Sequence, residues 1–325
     1  MIHTRLCDLL GIKHPIVLAG MGAAATPKLV AAVSNSGGFG TLGTTALRGE
    51  QIAAAARTIR EATDRPFGIN HLLFRMNDED YAQTLSVRPS AVAFAWANKE
   101  QDLRSYFNRA HEAGAKVMYM APTVPEAVRA ASAGADLIIA QGSEGGGHVG
   151  WMATMVIVPM VVSAVAPVPV LAAGGIADGR GVAAALALGA DGALIGTRFL
   201  ATPEAPLHAN FKQAIVDSDG HDTVLTEIHD LASGHVWPGA VARVQRNAVI
   251  ERWIGREWAL RQNRVEVSKA LGEARQVGDV NNAILMFGQD AGLIDSVKPA
   301  AEIIQTIVFE AEKIIRERLH GAVRA

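Results

Sequence analysis

A single cysteine, Cys7, in 325 residues leaves nothing from which to build a disulfide framework or a cysteine-held metal cluster. Aromatic residues are scarce at 5%, and charged residues make up only 19%. Neither sign dominates: 30 Lys and Arg stand against 32 Asp and Glu, a net charge of −2. The basic stripe that nucleic acid requires is therefore missing, and no nucleic-acid partner is expected. Long apolar runs are missing as well. The stretch WMATMVIVPMVVSAVAPVPVLAA, from Trp151, is cut by prolines into pieces of strand or helix length, so no membrane partner is expected. The opening MIHTRLCDLLGIKHP lacks the basic end, apolar stretch and cleavage site of a secretion signal. With one cysteine, this fits a reducing compartment, and the cytoplasm is the expected location. No HExxH pair, GxSxG elbow or Walker loop occurs, and no metal site is expected.

What is present is apolar material, 50% of the chain, enough for a large core. One pattern recurs in EAGAKVMYM (112–120), SAGADLIIA (132–140) and ALGADGALIG (187–196). An Ala-rich amphipathic stretch meets a glycine, then a small residue, then a short apolar run. That is a helix stopped by glycine, a tight turn and a buried parallel strand. The sequence supports eight such strands: Ile16–Ala19, Gly38–Leu42, Phe67–Asn70, Val92–Ala95, Lys116–Met120, Leu137–Ala140, Val168–Ala172 and Gly192–Ile195. Helical patterns lie between most of them, and Thr26–Pro27 reads as a helix start, with hydroxyl cap and first-turn proline. Eight units in about 200 residues favour an α/β fold of the (β/α)₈ TIM-barrel type over an open doubly wound sheet. Beyond Phe199 the alternation stops. Residues 203–282 read as a smaller helical lobe on the substrate side, with helices over 247–262 and 265–275. The barrel then takes 1–202 plus 283–325, closed by an amphipathic helix over 299–319.

Two glycine patterns resemble dinucleotide fingerprints. Gly20, Gly22 and Ala25 follow a strand, but the acidic residue wanted at the end of the next strand is absent. Gly38, Gly40 and Gly43 span a strand instead of leaving one. A stronger signal pairs AAGGIADGRG, with Gly174 and Gly175 after the seventh strand, and GTRF, with Gly196 and Thr197 after the eighth. Those two loops of a barrel commonly hold a phosphate, which needs bare N–H groups and a hydroxyl. After the sixth strand comes SEGGGHVG, where glycines surround His148. An imidazole left as the nearest functional side chain in such a loop suits proton transfer. Glu144 reads more readily as solvated surface than as a loop-orienting group. His208, His229, His235 and Trp237 either face substrate or pack. Cys7 lies off every expected strand end, which counts against barrels that use a loop cysteine.

Taken in order, PIVLAGM, NSGGFGTLG, RPFGIN, EGGGHVG, AAGGIADGRG, GTRFLAT and MFGQDAGLI resemble the FMN-dependent nitronate monooxygenases, formerly 2-nitropropane dioxygenases. Flavin-type enoyl-acyl-carrier-protein reductases and NAD(P)H:quinone reductases are close relatives of these. The resemblance spans nearly the whole chain and implies FMN across the strand carboxyl ends. It places Gly20, Met21 and Gly22 against the flavin, Asn70 on the ring or ribityl chain, and Gln141 and Gly146 near the ring. It places Gly174, Gly175, Gly196 and Thr197 on the phosphate, and makes His148 the active-site histidine. Where quinone-reductase-like members carry a lysine after the fifth strand, this chain has about Met120, followed by Ala121–Pro122–Thr123. That segment is closer to the enoyl reductase branch.

The expected activity is oxidation of alkyl nitronates with dioxygen. The alternative is reduction of enoyl thioesters or quinones with NADH or NADPH. A non-redox barrel binding a phosphorylated metabolite is the rival from another class. A homodimer is left open.

Overall fold

Local signals for the repeated unit come out as physical contacts. The helix Val124–Ala133 begins at Thr123, whose hydroxyl accepts from the Glu126 N–H at 3.3 Å. It stops at Gly134, where φ is 108° and the N–H returns to the Ala130 and Ala131 carbonyls. Two residues on, the Asp136 carboxylate accepts from Val117 N at 2.8 Å. Asp191 does the same for Val170 N at 3.1 Å. Each Gly-Ala-Asp turn therefore stops one helix and clamps the start of the neighbouring strand. Pro27 does open the helix Pro27–Asn35, but the Thr26 hydroxyl makes no cap bond.

The computed structural model describes residues 2–322. Eight parallel strands form one sheet: β1 (Ile16–Leu18), β2 (Gly40–Gly43), β3 (Phe67–Leu72), β4 (Ala91–Ala95), β5 (Lys116–Ala121), β6 (Leu137–Gln141), β8 (Val170–Ala173) and β9 (Gly192–Ile195). Their order is β1-β9-β8-β6-β5-β4-β3-β2. A parallel bridge between Val17 and Phe39 brings β1 to the start of β2, with Leu18 N donating to the Phe39 carbonyl at 2.8 Å. The sheet thus closes into the expected barrel.

Alternation along each strand sorts side chains between the inside and the helical layer. Phe39, Ala91, Ala93, Met118 and Ile139 form an inner cluster with Leu6, Cys7 and Leu10 of the N-terminal helix Arg5–Leu10. Cys7 is buried there as a small apolar residue. Val92, Phe94, Val117 and Tyr119 instead belong to the cluster shared with the outer helices. The helix Ala300–Lys313, which runs on as a π-helix over Ile314–Leu319, buries Ile303, Ile304 and Ile307 in that same cluster. Among the described residues, no helix is long and apolar enough to cross a membrane.

In the segment 203–282 the helix expected over 247–262 is broken into Ala248–Trp253 and Glu257–Gln262, the one expected over 265–275 is Arg264–Val277, and Ala209–Asp217 and Ile228–Ser233 are further helices. It also holds two strands that the helical reading of this lobe did not include, β10 (Thr223–Thr226) and β11 (Val241–Gln245). They pair antiparallel with each other, and β11 pairs antiparallel with β7 (Gly147–Val149), which lies inside the glycine-rich stretch after β6. Short strands with no repeated helix between them leave no period for a sequence pattern to display.

His71 on β3 is buried between the hydroxyls of Thr44 (3.2 Å) and Thr84 (2.7 Å). Burial pushes its pKa down to about 4. The unfolded chain then takes up a proton near pH 6.5 that the folded one refuses until about pH 4, so stability falls as pH drops through that window. Going from pH 7 to pH 5 should cost about 2 kcal/mol through His71. His229, also pushed down to about 4, acts in the same direction. Urea unfolding of a His71→Gln protein at the two pH values checks this; an undiminished difference would rule the residue out as a source.

Candidate active site

Small inward side chains at the top of the barrel, such as Ala93, Ala95 and Ala173, leave a cavity of about 610 Å³ at the strand carboxyl ends. That is within the roughly 300–1,000 Å³ typical of ligand pockets. Gly20, Met21, Gly22, Asn70, Gln141, Gly146, His148, Gly174, Gly175, Gly196 and Thr197 all line it. Motifs spread over almost 180 residues of chain thus share one wall.

The glycines differ in what their missing side chains make room for. A Cβ on Gly20 would run into the Asn70 side chain, and one on Gly146 into the backbone of Phe287 and Gly288. Those two glycines let chain segments meet; room for a planar ligand does not by itself account for them. Around Gly147, by contrast, no atom lies within 4 Å of an added Cβ. Gly174 and Gly175, packed beside the start of the same loop, have φ of 98° and 73°, and Gly196 precedes the one-turn helix Thr197–Leu200. The Thr197 hydroxyl accepts from Gly288 N at 2.9 Å, which brings the late motif MFGQDAGLI into this corner.

His148 sits on β7, opposite Ala242 of β11. Its Nε2 is 2.9 Å from Asp230 Oδ1, and each side chain is only 8% exposed. Its ring lies flat against Trp237, with centroids 3.3 Å apart and planes at 11°. The antiparallel lobe sheet and the Trp237 stack therefore fix the imidazole's position, while Asp230 fixes its rotation. Asp230 escaped the sequence reading because it lies 82 residues further along. Its only local signal was the dipeptide His229–Asp230. Of the histidines left open, His229 and His235 line the cavity with Trp237. Burial lowers the pKa of both, that of His229 to about 4. His208 caps a helix, its Nδ1 accepting from Asn210 N at 3.2 Å.

Glu144 is half-buried and holds the loop in place, correcting its assignment to solvated surface. Its carboxylate accepts from the Thr154 N–H at 2.9 and 3.0 Å and from the Thr154 hydroxyl at 2.9 Å. The Thr154 hydroxyl proton is shared with the Gly174 carbonyl, whose oxygen is also 2.9 Å from Oγ1. The loops after β6 and β8 are thereby pinned together.

Three buried polar atoms on the cavity wall have no partner within the protein: Thr41 Oγ1, Gln141 Oε1 and Asp290 Oδ1. Buried polar groups are rarely left unsatisfied, so these three are candidates for contact with a polar ligand or ordered water. Met120, at the end of β5, also faces the cavity. Among the described residues, no group of three or more His, Cys, Asp or Glu is placed to hold a metal ion.

The profile of the family described as nitronate monooxygenase matches residues 3–84 and 78–310. A (3aS,4S,5R,7aS)-5-hydroxy-7a-methyl-1-oxo-octahydro-1H-indene-4-carboxyl-CoA dehydrogenase of Mycobacterium tuberculosis is 34% identical, the match covering 95% of this chain and 96% of that one. A probable nitronate monooxygenase of Staphylococcus aureus is 31% identical, over 96% and 98% of the two chains. Among solved structures, FabK from Thermotoga maritima superposes with a TM-score of 0.89 at 37% identity, over 99% of this chain and 100% of that one.

Proposed function

The chain belongs to the nitronate monooxygenase family, and from that premise we propose that it is an FMN-dependent oxidoreductase in which His148 and Asp230 move a proton at the substrate. The residues fit the cofactor. Gly174, Gly175, Gly196 and Thr197 offer a phosphate a corner of bare backbone. The unpartnered atoms of Thr41 and Gln141 suit the polar edge of a flat heterocycle, and Gly20, Met21, Gly22, Asn70 and Gly146 complete the wall against which it rests. When bound, FMN supplies the electron transfer, taking a pair from a nitronate or from NADH or NADPH and passing it to dioxygen or an organic acceptor.

The observation that carries the reading is the 2.9 Å contact between His148 Nε2 and Asp230 Oδ1 on the wall of an apolar cavity. With Nε2–H donated to the carboxylate, the lone pair is left on Nδ1. That nitrogen serves as base toward the acidic carbon of a nitroalkane, and the resulting imidazolium stays paired with Asp230. Oxidation of nitronates with dioxygen is the leading reaction. A second reading, reduction of an enoyl thioester, is favoured by Met120, which stands where quinone-reductase-like members carry a lysine. The end of β5 brings no cation to this wall, and the cavity extends along Leu207, Phe211 and Ile215, more apolar wall than a short nitroalkane needs.

Mixing the flavin-loaded protein anaerobically with a nitronate, NADH or NADPH separates the readings. Bleaching by the nitronate alone, followed by oxygen uptake, is the expected result. Bleaching by the nicotinamides alone would move the assignment to the reductases. A purified protein that takes up no FMN would remove both.

A further inference from the structure

Asp290 has no part in the proton transfer, yet it is the most conspicuous polar group at the phosphate corner. It is 5% exposed, it lines the cavity, and its Oδ1 has no partner. The segment that carries it is fixed from two sides. Gly288 N donates to Thr197 Oγ1 at 2.9 Å, and Gln289 N donates to the Glu144 carbonyl at 2.9 Å. The carboxyl is therefore held next to Thr197, the residue placed on the phosphate.

A phosphate monoester carries about −1.5 to −2 charges at neutral pH. Two like charges in one desolvated corner cannot both persist without large cost, and the carboxyl is the group that keeps a proton. Among the described residues, Lys212 lies on the helix Ala209–Asp217 packed against this segment and Arg75 and Arg275 share the cavity wall, but none of them is among the groups that act on the carboxyl. Arg243 is turned to the Ser143 carbonyl at 2.8 Å and Arg198 to the Ser296 carbonyl at 2.9 Å. Burial is the main cause and Glu144, across the corner, adds a further repulsion, while the Thr197 hydroxyl and the Asp290 backbone N–H work against them.

Resting on the FMN reading above, we propose that Asp290 binds the cofactor's phosphate as a neutral carboxylic acid, donating its proton to a phosphate oxygen, so that FMN binding takes up a proton. Before any phosphate arrives, burial already pushes the carboxyl up to about 7. Above that pH the empty site is a carboxylate, and loading it requires one proton from solvent.

The test is titration of flavin-free protein with FMN, followed by quenching of flavin fluorescence, at pH 7.5 and 8.5. The wild-type dissociation constant should rise about tenfold between the two, as uptake of one proton requires. Asp290→Asn, which keeps a donor at every pH, should change less than twofold and bind more tightly than wild type at pH 8.5. Asp290→Leu, without a donor, should bind weakly and without pH dependence. Riboflavin, which lacks the phosphate, should show no Asp290-dependent slope. A flat wild-type profile, or an asparagine variant that retains the slope, would overturn the proposal and leave the FMN reading standing. Failure to bind FMN at either pH would overturn both.

Discussion

Replacing His148 with alanine should lower turnover by about 10²–10⁴-fold, the usual worth of a positioned acid or base, with the bound flavin's absorbance unchanged. In the proposed arrangement the two outcomes separate, because the imidazole serves the substrate while Gly174, Gly175, Gly196 and Thr197, elsewhere on the cavity lining, hold the phosphate. Asp230→Asn should cost nearly as much. An amide at that position can donate to Nε2 where the carboxylate accepted, which drives the ring proton to Nδ1 and removes the lone pair facing the substrate. Because both residues serve one proton transfer, the double variant should be scarcely slower than His148→Ala alone. Steady-state rates on the three proteins with a neutral nitroalkane as substrate, each with its flavin content measured, make the comparison. Multiplying losses in the double variant would show that Asp230 acts elsewhere, and unchanged turnover in His148→Ala would end the assignment.

The barrel and this site were not equally legible. All eight barrel strands lie within two residues of their sequence-based limits, because each is a buried apolar run whose burial on both faces leaves a continuous hydrophobic signature, and β5, β6 and β9 also follow helices that end at or beside Gly114, Gly134 and Gly189. The glycine motifs also marked the cavity, for a reason the sequence conceals. Gly146 is bare partly so that Phe287 and Gly288 can pack on it, a contact made across some 140 residues of chain. Asp230 shows the limit more sharply. An aspartate beside a histidine at a helix start is unremarkable locally, and it gains meaning only once β7 and β11 pair and set His148 over it. Glu144 looked like surface because its partner, Thr154, lies beyond the intervening strand β7. Pairings of this kind come from chain closure in three dimensions, which leaves no periodicity behind.

Filling the phosphate corner is the other change expected to have a large effect. Gly174→Val should weaken FMN binding by about 100-fold, equivalent to about 3 kcal/mol. Part of that is conformational: φ is 98° at Gly174, a region costing a side-chain-bearing residue about 1–3 kcal/mol. The rest is steric, since a Cβ there would lie 2.7 Å from the Gly142 carbonyl oxygen and 3.1 Å from Thr154 Oγ1. Neither atom can simply retreat. Thr154 holds the Gly174 carbonyl at 2.9 Å and Glu144 at 2.9 Å, so relief at position 174 displaces the loop after β6 as well. Gly147→Ala isolates the conformational part, because φ is 73° there and nothing lies within 4 Å of the new methyl group. It should keep its FMN, and a fluorescence titration of both variants beside wild type decides. Equal loss in the two would make backbone strain sufficient, whereas unimpaired binding in Gly174→Val would mean that the phosphate lies elsewhere.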